Sequence, residues 1–277
     1  MKLNRRVLPK PQFKLQNILN RLQQEPILYT EFLQLLEKAS DSIYSNSQLE
    51  FELLLSNGLP LDFEDDFVVL RTMKNRISEQ SFCIVDIETN GSNAKKGCQI
   101  IELGAVKYEN GKIVDKFESL VYAKEIPAYV QEVTKINPKM LESAPRLENV
   151  LIDFKMFLGD DVFLAHDIKF DYTFISDSFE KYNLGKLLNR KICTIDLAKR
   201  TIKADKYGLS SLKEVLNINV DNHHRAYYDA LTTTIVFEEC LNNIDSTCIK
   251  SVEELINFSK SDNIINCPKK VINLKKD

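Results

Sequence analysis

The sequence is short of several things, and each shortage excludes a class of protein. Charge of one sign is the first: 37 Lys and Arg stand against 40 Asp and Glu, a net charge of −3 at pH 7. Acids and bases also stay nearly balanced before residue 81, from 81 to 242 and beyond. That excludes a protein held on nucleic acid or on an anionic membrane by bulk positive charge, although local basic patches are compatible with it. The six cysteines, Cys83, Cys98, Cys193, Cys240, Cys248 and Cys267, form no C-x-x-C pair and have no histidine at metal-ligand spacing. A thiolate zinc site is therefore not expected, and the cysteines read as reduced thiols. No apolar run approaches a membrane span, and the polar, basic first ten residues lead into no apolar h-region. The expectation is a cytoplasmic protein without a signal peptide or a membrane partner. There is no internal repeat.

What is present is an ordinary globular composition, 44% hydrophobic and 28% charged over 277 residues, enough for one large domain or two smaller ones. Residues 1–78 read as a mainly helical module. Phe13, Leu15, Ile18, Leu19 and Leu22 recur at helical spacing, as do Phe32, Leu33, Leu35 and Leu36, and Leu49 to Leu55 can extend the pattern until Asn57-Gly58-Leu59-Pro60 stops it. After an acidic turn at Asp62 to Asp66, Phe67-Val68-Val69-Leu70 reads as a strand. Helices followed by strands suggest a winged-helix-like unit, with a helical docking module as the plainer alternative.

From residue 79 to 242 the texture becomes α/β. Phe82 to Ile87 reads as a buried strand, and two further strands flank Glu109-Asn110-Gly111, a hairpin signal. Helical patterns follow at Ala128 to Thr134, Leu147 to Leu158, Phe170 to Tyr182, Ser210 to Leu216 and Ala226 to Leu241, with strands at Asp161 to Ala165 and Lys191 to Ile195. Antiparallel strands first and α/β alternation afterwards is the order of a mixed α/β sheet flanked by helices. Residues 243–277 read as a C-terminal tail with one weak helix, Val252 to Phe258. The segment from 81 to about 242 is expected to fold and act without its flanks, with a polar linker at Lys74 to Ser81.

Three patches carry chemistry. In Val85-Asp86-Ile87-Glu88-Thr89-Asn90-Gly91, two acids end an apolar strand, and their spacing of two puts both on one face, where they could share a metal ion. A lone D-x-E also commonly just ends a strand, but carboxylates emerging from a buried strand need a compensating charge. In the second patch, Phe163-Leu164-Ala165 runs into His166-Asp167-Ile168-Lys169-Phe170-Asp171, so that Asp171 sits in the first turn of a helix. Read alone, that acid could simply meet the helix macrodipole. In the third, His223-His224-Arg225-Ala226 precedes Asp229 by too large an angle for His224 and Asp229 to share a helix face. His224 is therefore expected on the loop before the helix, reaching back over a site that Asp229 enters from within it.

Together these motifs resemble the DEDDh family of 3′–5′ exonucleases, whose proofreading members include the epsilon subunit of bacterial DNA polymerase III. Asp86, Glu88 and Thr89 resemble the first motif, Gln99 to Val106 the second strand, His166 with Phe170-Asp171 the second motif, and His224-Arg225-Ala226 with Asp229 the third. Departures are Asp167 where the family usually has Asn, Lys135-Ile136-Asn137 where Gly-Ile-Thr is common, and Tyr227-Tyr228 where an apolar residue precedes the last acid.

The resemblance implies a ribonuclease H-like α/β domain that removes nucleotides from the 3′ end of single-stranded DNA, with RNA as a possible substrate, and a polymerase catalytic subunit as partner. A non-catalytic polymerase-associated scaffold is the reading from a different class. The resemblance further implies two Mg²⁺ or Mn²⁺ ions on Asp86, Glu88, Asp171 and Asp229, the chemistry that oxygen-only ligands suit. His224 is then the general base, with His223 as its competitor. Thr89, Asn90, Gly91, Ile136, His166 and Phe170 are the implied substrate contacts. Arg190, Lys191, Lys199, Arg200, Lys203 and Lys206 are a local basic concentration that either tracks phosphates or is a solvated helix face.

Overall fold

The computed structural model describes residues 11–39, 46–220, 224–245 and 247–263. Its first part contains α1 (Pro11–Leu22), β1 (Ile27–Leu28), α2 (Tyr29–Ala39), α3 (Ser47–Ser56), β2 (Leu61–Glu64) and β3 (Phe67–Leu70). Helix α2 buries Phe32 and Leu36, one turn apart. The side chain of Asn46 caps α3 by accepting from the amides of Gln48 and Leu49, satisfying donors that the first turn leaves over. The stop after α3 rests on Gly58, whose φ of +88° suits glycine and whose missing side chain leaves room for Asn189. The strands form an antiparallel sheet in the order β1-β3-β2. The acidic stretch expected as a turn is mostly strand β2, and only Asp65 and Asp66 make the turn. Helix, strand, two helices and two strands pack around a core of Ile18, Leu22, Ile27, Phe32, Phe51 and Val68.

The second sheet has five strands, β4 (Phe82–Thr89), β5 (Ile100–Glu109), β6 (Lys112–Leu120), β7 (Val162–Ala165) and β8 (Lys191–Cys193), in the order β6-β5-β4-β7-β8. β4, β5 and β6 are antiparallel, whereas β4, β7 and β8 run parallel. Asn110 and Gly111, at φ of 46° and 77°, close the β5–β6 hairpin in the left-handed conformations that such a tight turn demands. Helices α4 (Ala128–Thr134), α5 (Pro138–Leu141), α6 (Leu147–Leu158), α7 (Ile168–Lys181), α8 (Thr194–Thr201), α9 (Leu209–Val215), α10 (Ala226–Asn242) and α11 (Val252–Lys260) surround it. This is a mixed α/β sheet flanked by helices. The strand expected to run to Ile195 stops at Cys193, because Thr194 already begins α8, a helix too short to announce itself by periodicity.

Each face of the sheet has its own core. Alternation along β4 sends Phe82 and Ile84 to the side of α10, against Val236 and Phe237, and sends Cys83, Val85 and Ile87 to the side of α6 and α7. Helix α11 adds Val252, Leu255 and Ile256, all fully buried, to the core containing Phe82 and Ile84. The expected tail therefore contributes to the core of the five-stranded sheet as far as α11, and residues 264–277 lie outside the described residues. This also removes the basis for a core complete at residue 242. Glu253, fully buried in α11, meets Arg190, Thr72 Oγ1 at 2.7 Å and Gln23 Nε2 at 2.6 Å, joining the N-terminal unit to the five-stranded sheet.

Candidate active site

The alternation that buries Phe82 and Ile84 against α10 also points Asp86 and Glu88 to that side, where β4 emerges from the core. Their neighbours across the ladder are Gly104 and Glu102 of β5. A β-carbon on Gly104 would lie 2.2 Å from the Tyr227 amide nitrogen and 2.4 Å from the Ala226 carbonyl carbon. Only glycine admits the first turn of α10 so close to the sheet, and that turn carries Asp229 into the site, 5% exposed. Asp171 arrives from the first turn of α7, buried, with Oδ1 accepting from the amide of Ile87 at 3.3 Å. The third acid is thus tied to the residue between the first two.

His224 lies on the loop before α10, in a left-handed conformation with φ of 64°, and its amide donates to Asp229 Oδ2 at 3.1 Å. One ligand atom each from Glu88, His224 and Asp229 lie within 4.8 Å of one another. The structure therefore gathers the sequence-predicted acids and His224 at one end of β4. His223 lies outside the described residues.

The acids repel one another. Burial, then the charges of Asp171, Asp229 and Glu88, push the Asp86 carboxyl well above the ordinary range. Burial, then Asp229 and Glu102, raise Glu88 to about 8, with Arg225 opposing. Asp171 rises to about 8 chiefly through burial, against the hydrogen bonds that its carboxylate accepts. Carboxylates held at a cost to their ionised form lack a counter-charge, and an oxygen-only set of this kind fits a hard divalent cation such as Mg²⁺ or Mn²⁺.

Glu102 escaped the sequence reading. It is 1% exposed, accepts from Arg225 Nε at 3.0 Å and Nη2 at 2.7 Å, and accepts from the amide of Ala226 at 3.0 Å. It thereby pins the junction between His224 and α10 to β5. An acid inside the apolar run Ile100-Ile101-Glu102-Leu103 was the available signal, because buried acids are rare unless paired.

The expected substrate contacts divide. Phe170 is exposed beside Asp171, its ring 5.8 Å from that of Phe174. Thr89 ends β4 and Asn90 and Gly91 follow it, with the Thr89 hydroxyl donating to Gly91 O and Asn90 Oδ1 accepting from the Gln99 amide. Ile136 is instead a core residue, fully buried among Ile101, Ile126, Val130 and Leu141, and offers no surface to a base. His166 is an internal strut. Nε2 donates to Tyr207 O at 2.9 Å, so Nδ1 is left to accept from Thr194 Oγ1 at 2.8 Å, and burial lowers the ring's pKa and keeps it neutral. In the basic concentration, Arg190 is committed to Glu253 and Arg200 donates to the Asp196 and Ser261 carbonyls, which takes both from any role in tracking phosphates.

Comparison with known proteins bears on the fold and the family. A Staphylococcus aureus DNA polymerase III of the PolC type is 35% identical over 188 residues, which cover 67% of this chain and 12% of that protein. The chain thus spans about one eighth of the length of the curated relatives it matches. Exonuclease X, solved in complex with 5′ overhanging duplex DNA, superposes with a TM-score of 0.51 at 25% identity, over 64% of this chain and 99% of that one. Escherichia coli exonuclease I, solved with a dT13 oligonucleotide, shares the fold with a TM-score of 0.53 at 12% identity, over 61% of this chain and 42% of its own. These neighbours make the five-stranded domain a ribonuclease H-like exonuclease fold. Residues 83–237 match the exonuclease family model, RNase T type, which is more than half of the chain, and on that match the protein belongs to the exonuclease family of nucleases.

Proposed function

We propose that this chain is a divalent-metal-dependent 3′–5′ exonuclease that hydrolyses single-stranded DNA ends, in the manner of a proofreading subunit. The observation that carries this reading is the convergence of Asp86, Glu88, Asp171 and Asp229 with His224 at one end of β4. These four acids would hold two Mg²⁺ or Mn²⁺ ions, which when bound supply Lewis acidity to the attacking water and to the leaving 3′ oxygen.

His224 Nε2 or Nδ1 takes the proton of the water whose oxygen attacks the terminal phosphorus. The P–O3′ bond breaks, the 3′ oxygen of the remaining strand takes up a proton, and a nucleoside 5′-monophosphate leaves. Glu102 and Arg225 hold the loop from which His224 reaches the site. Phe170, exposed one residue before Asp171, stacks on the terminal base, and the turn Thr89-Asn90-Gly91 meets the terminal nucleotide.

The PolC-type relatives support association with a replicative polymerase. We place the nuclease unit at about residues 76–263, with the N-terminal unit as an accessory. The test is degradation of 5′-labelled and 3′-labelled single-stranded DNA and matched RNA by the full chain, with Mg²⁺, Mn²⁺ or EDTA. Stepwise shortening of 5′-labelled DNA only with metal is expected. Preferential loss of RNA would reassign the substrate, 5′-to-3′ shortening would overturn the polarity, and no cleavage would leave the scaffold reading.

A further inference from the structure

We infer that Lys203 and Lys206, on the short loop from α8 to α9, hold the backbone phosphates of the strand on the 5′ side of the nucleotide being removed. This rests on the reading of the site as a nuclease for a single strand. Such a strand brings several phosphates to a place already crowded with carboxylates, and a net charge of −3 offers it no general attraction. Local cations must therefore meet it, as they do where single strands are tracked along the backbone beside stacked bases.

The register of the sheet places the loop. Leu164 of β7 pairs with Ile84 of β4. His166, two residues beyond Leu164, thus stands level with Asp86, two residues beyond Ile84, and by alternation on the same α10 side of the sheet. Its Nε2 donates to Tyr207 O at 2.9 Å, which fastens one end of the loop at that level. The other end is Ile202, buried, whose carbonyl accepts from the Tyr207 hydroxyl at 3.0 Å and whose amide donates to Ala198 O at 2.8 Å. Ala204, between the two ends, packs against the core on that side. A loop pinned in this way presents Lys203 and Lys206 to solvent beside the acids.

The rest of the basic stretch is occupied. Besides Arg190 and Arg200, Lys199 stands 4.0 Å from Asp196 Oδ1, and Lys191 lies over the Tyr172 ring, 3.7 Å from its centroid. Arg225 is held by Glu102, and Lys95 by Asp177 at 2.8 Å. Lys203 and Lys206 pair with no carboxylate among the described residues. A solvated surface lysine is commonplace, but these two ride on a loop fixed to the second motif. Asp205, exposed between them, opposes a phosphate and so offers a test of sign.

The test uses the full chain with Mn²⁺ and three substrates. One is a single strand of about 12 nucleotides. Another is that strand with neutral methylphosphonate links everywhere except at its 3′-terminal phosphate. The last is the p-nitrophenyl ester of thymidine 5′-monophosphate, which has no strand attached. Lys203→Ala with Lys206→Ala should raise KM for the charged strand about tenfold or more with kcat retained, and flatten its log–log salt dependence by about 1 to 1.5. On the neutral strand and the ester this variant should match the unaltered chain. Lys203→Arg with Lys206→Arg should keep the original KM, Asp205→Asn should lower it for the charged strand, and Lys199→Ala should leave it unchanged. Unchanged KM and salt slope in the folded double Ala variant overturn the inference. So does an equal loss on the ester or the neutral strand, or an equal loss in Lys199→Ala. If the unaltered chain cleaves none of the three, the nuclease reading fails. Binding of the charged and neutral strands in EDTA across the same variants then decides whether the loop holds phosphates.

Discussion

Glu102 and Glu253 are both buried glutamates that meet an arginine, yet their surroundings are opposite. Around Glu253, Arg190, Thr72 and Gln23 all offer donors. Burial opposes its ionisation, but the Arg190 charge and those hydrogen bonds outweigh burial and hold the carboxyl below its ordinary value. Around Glu102, Arg225 and the Ala226 amide stand against a cluster of acids in which Asp86 and Glu88 are pushed above their ordinary values by burial and by the neighbouring carboxylates, and Asp171 chiefly by burial. A buried charge neutralised by the chain's own groups is a joint. Buried charges left in excess call for a cation from outside, and that excess is what separates a site from a strut.

The sharpest way to test this contrast is to remove one acid of the excess. Asp86→Ala or Asp229→Ala should lower turnover by about 10³-fold or more, while the thermal midpoint without metal stays unchanged or rises because repulsion is relieved. Near-normal activity in either variant would break the assignment of the site. His224→Ala should cost about 10²-fold or more in turnover, the usual scale for a lost general base, with Mn²⁺ binding little changed. A larger loss in His223→Ala would transfer the role to its neighbour.

At the joint the expected effect is on stability and not on chemistry. Glu253→Ala leaves Arg190 buried and unpaired, at a cost of about 3 to 5 kcal/mol, read as a lower denaturation midpoint with turnover retained at low temperature. By the same packing argument, residues 81–242 alone should fail to give a soluble nuclease, since Val252, Leu255 and Ile256 are missing from the core, whereas 76–263 should succeed.

The pH dependence of stability differs in sign between the two places. Glu88 and Asp171 titrate near 8 in the folded chain against about 4 in the unfolded one. The folded state thus binds more protons between those values, and the site's contribution to stability is lost as pH rises through that window. Melts in EDTA should fall from pH 5 to 8, by about 2 to 4 °C for each kcal/mol lost, and added Mn²⁺ should reverse the fall at pH 8. Glu253, held below its ordinary value, contributes stability that is lost only as pH falls below about 4. A Glu253→Gln variant should therefore flatten the acid limb and leave the EDTA limb unchanged.

The sequence by itself determined the local elements and where the acids and His224 stand on them. Asp86 and Glu88 at the end of an apolar strand, Asp171 opening a helix, and His224 displaced from the Asp229 helix face are local patterns with periods of 2 and 3.6, legible from residue order alone. So were the Asn110-Gly111 hairpin and the ladder of strands before helices. Tertiary structure decided what depends on distant partners. It made Ile136 a core residue, closed both nitrogens of His166 on Thr194 and Tyr207, turned Arg190 inward to Glu253, and drew α11 into the core. It also gave Glu102 its role, because Arg225 and Ala226 lie more than a hundred residues further on. The physical reason is that periodicity records which face of an element is buried, whereas burial of a charge is tolerated or not according to which side chains the fold brings against it.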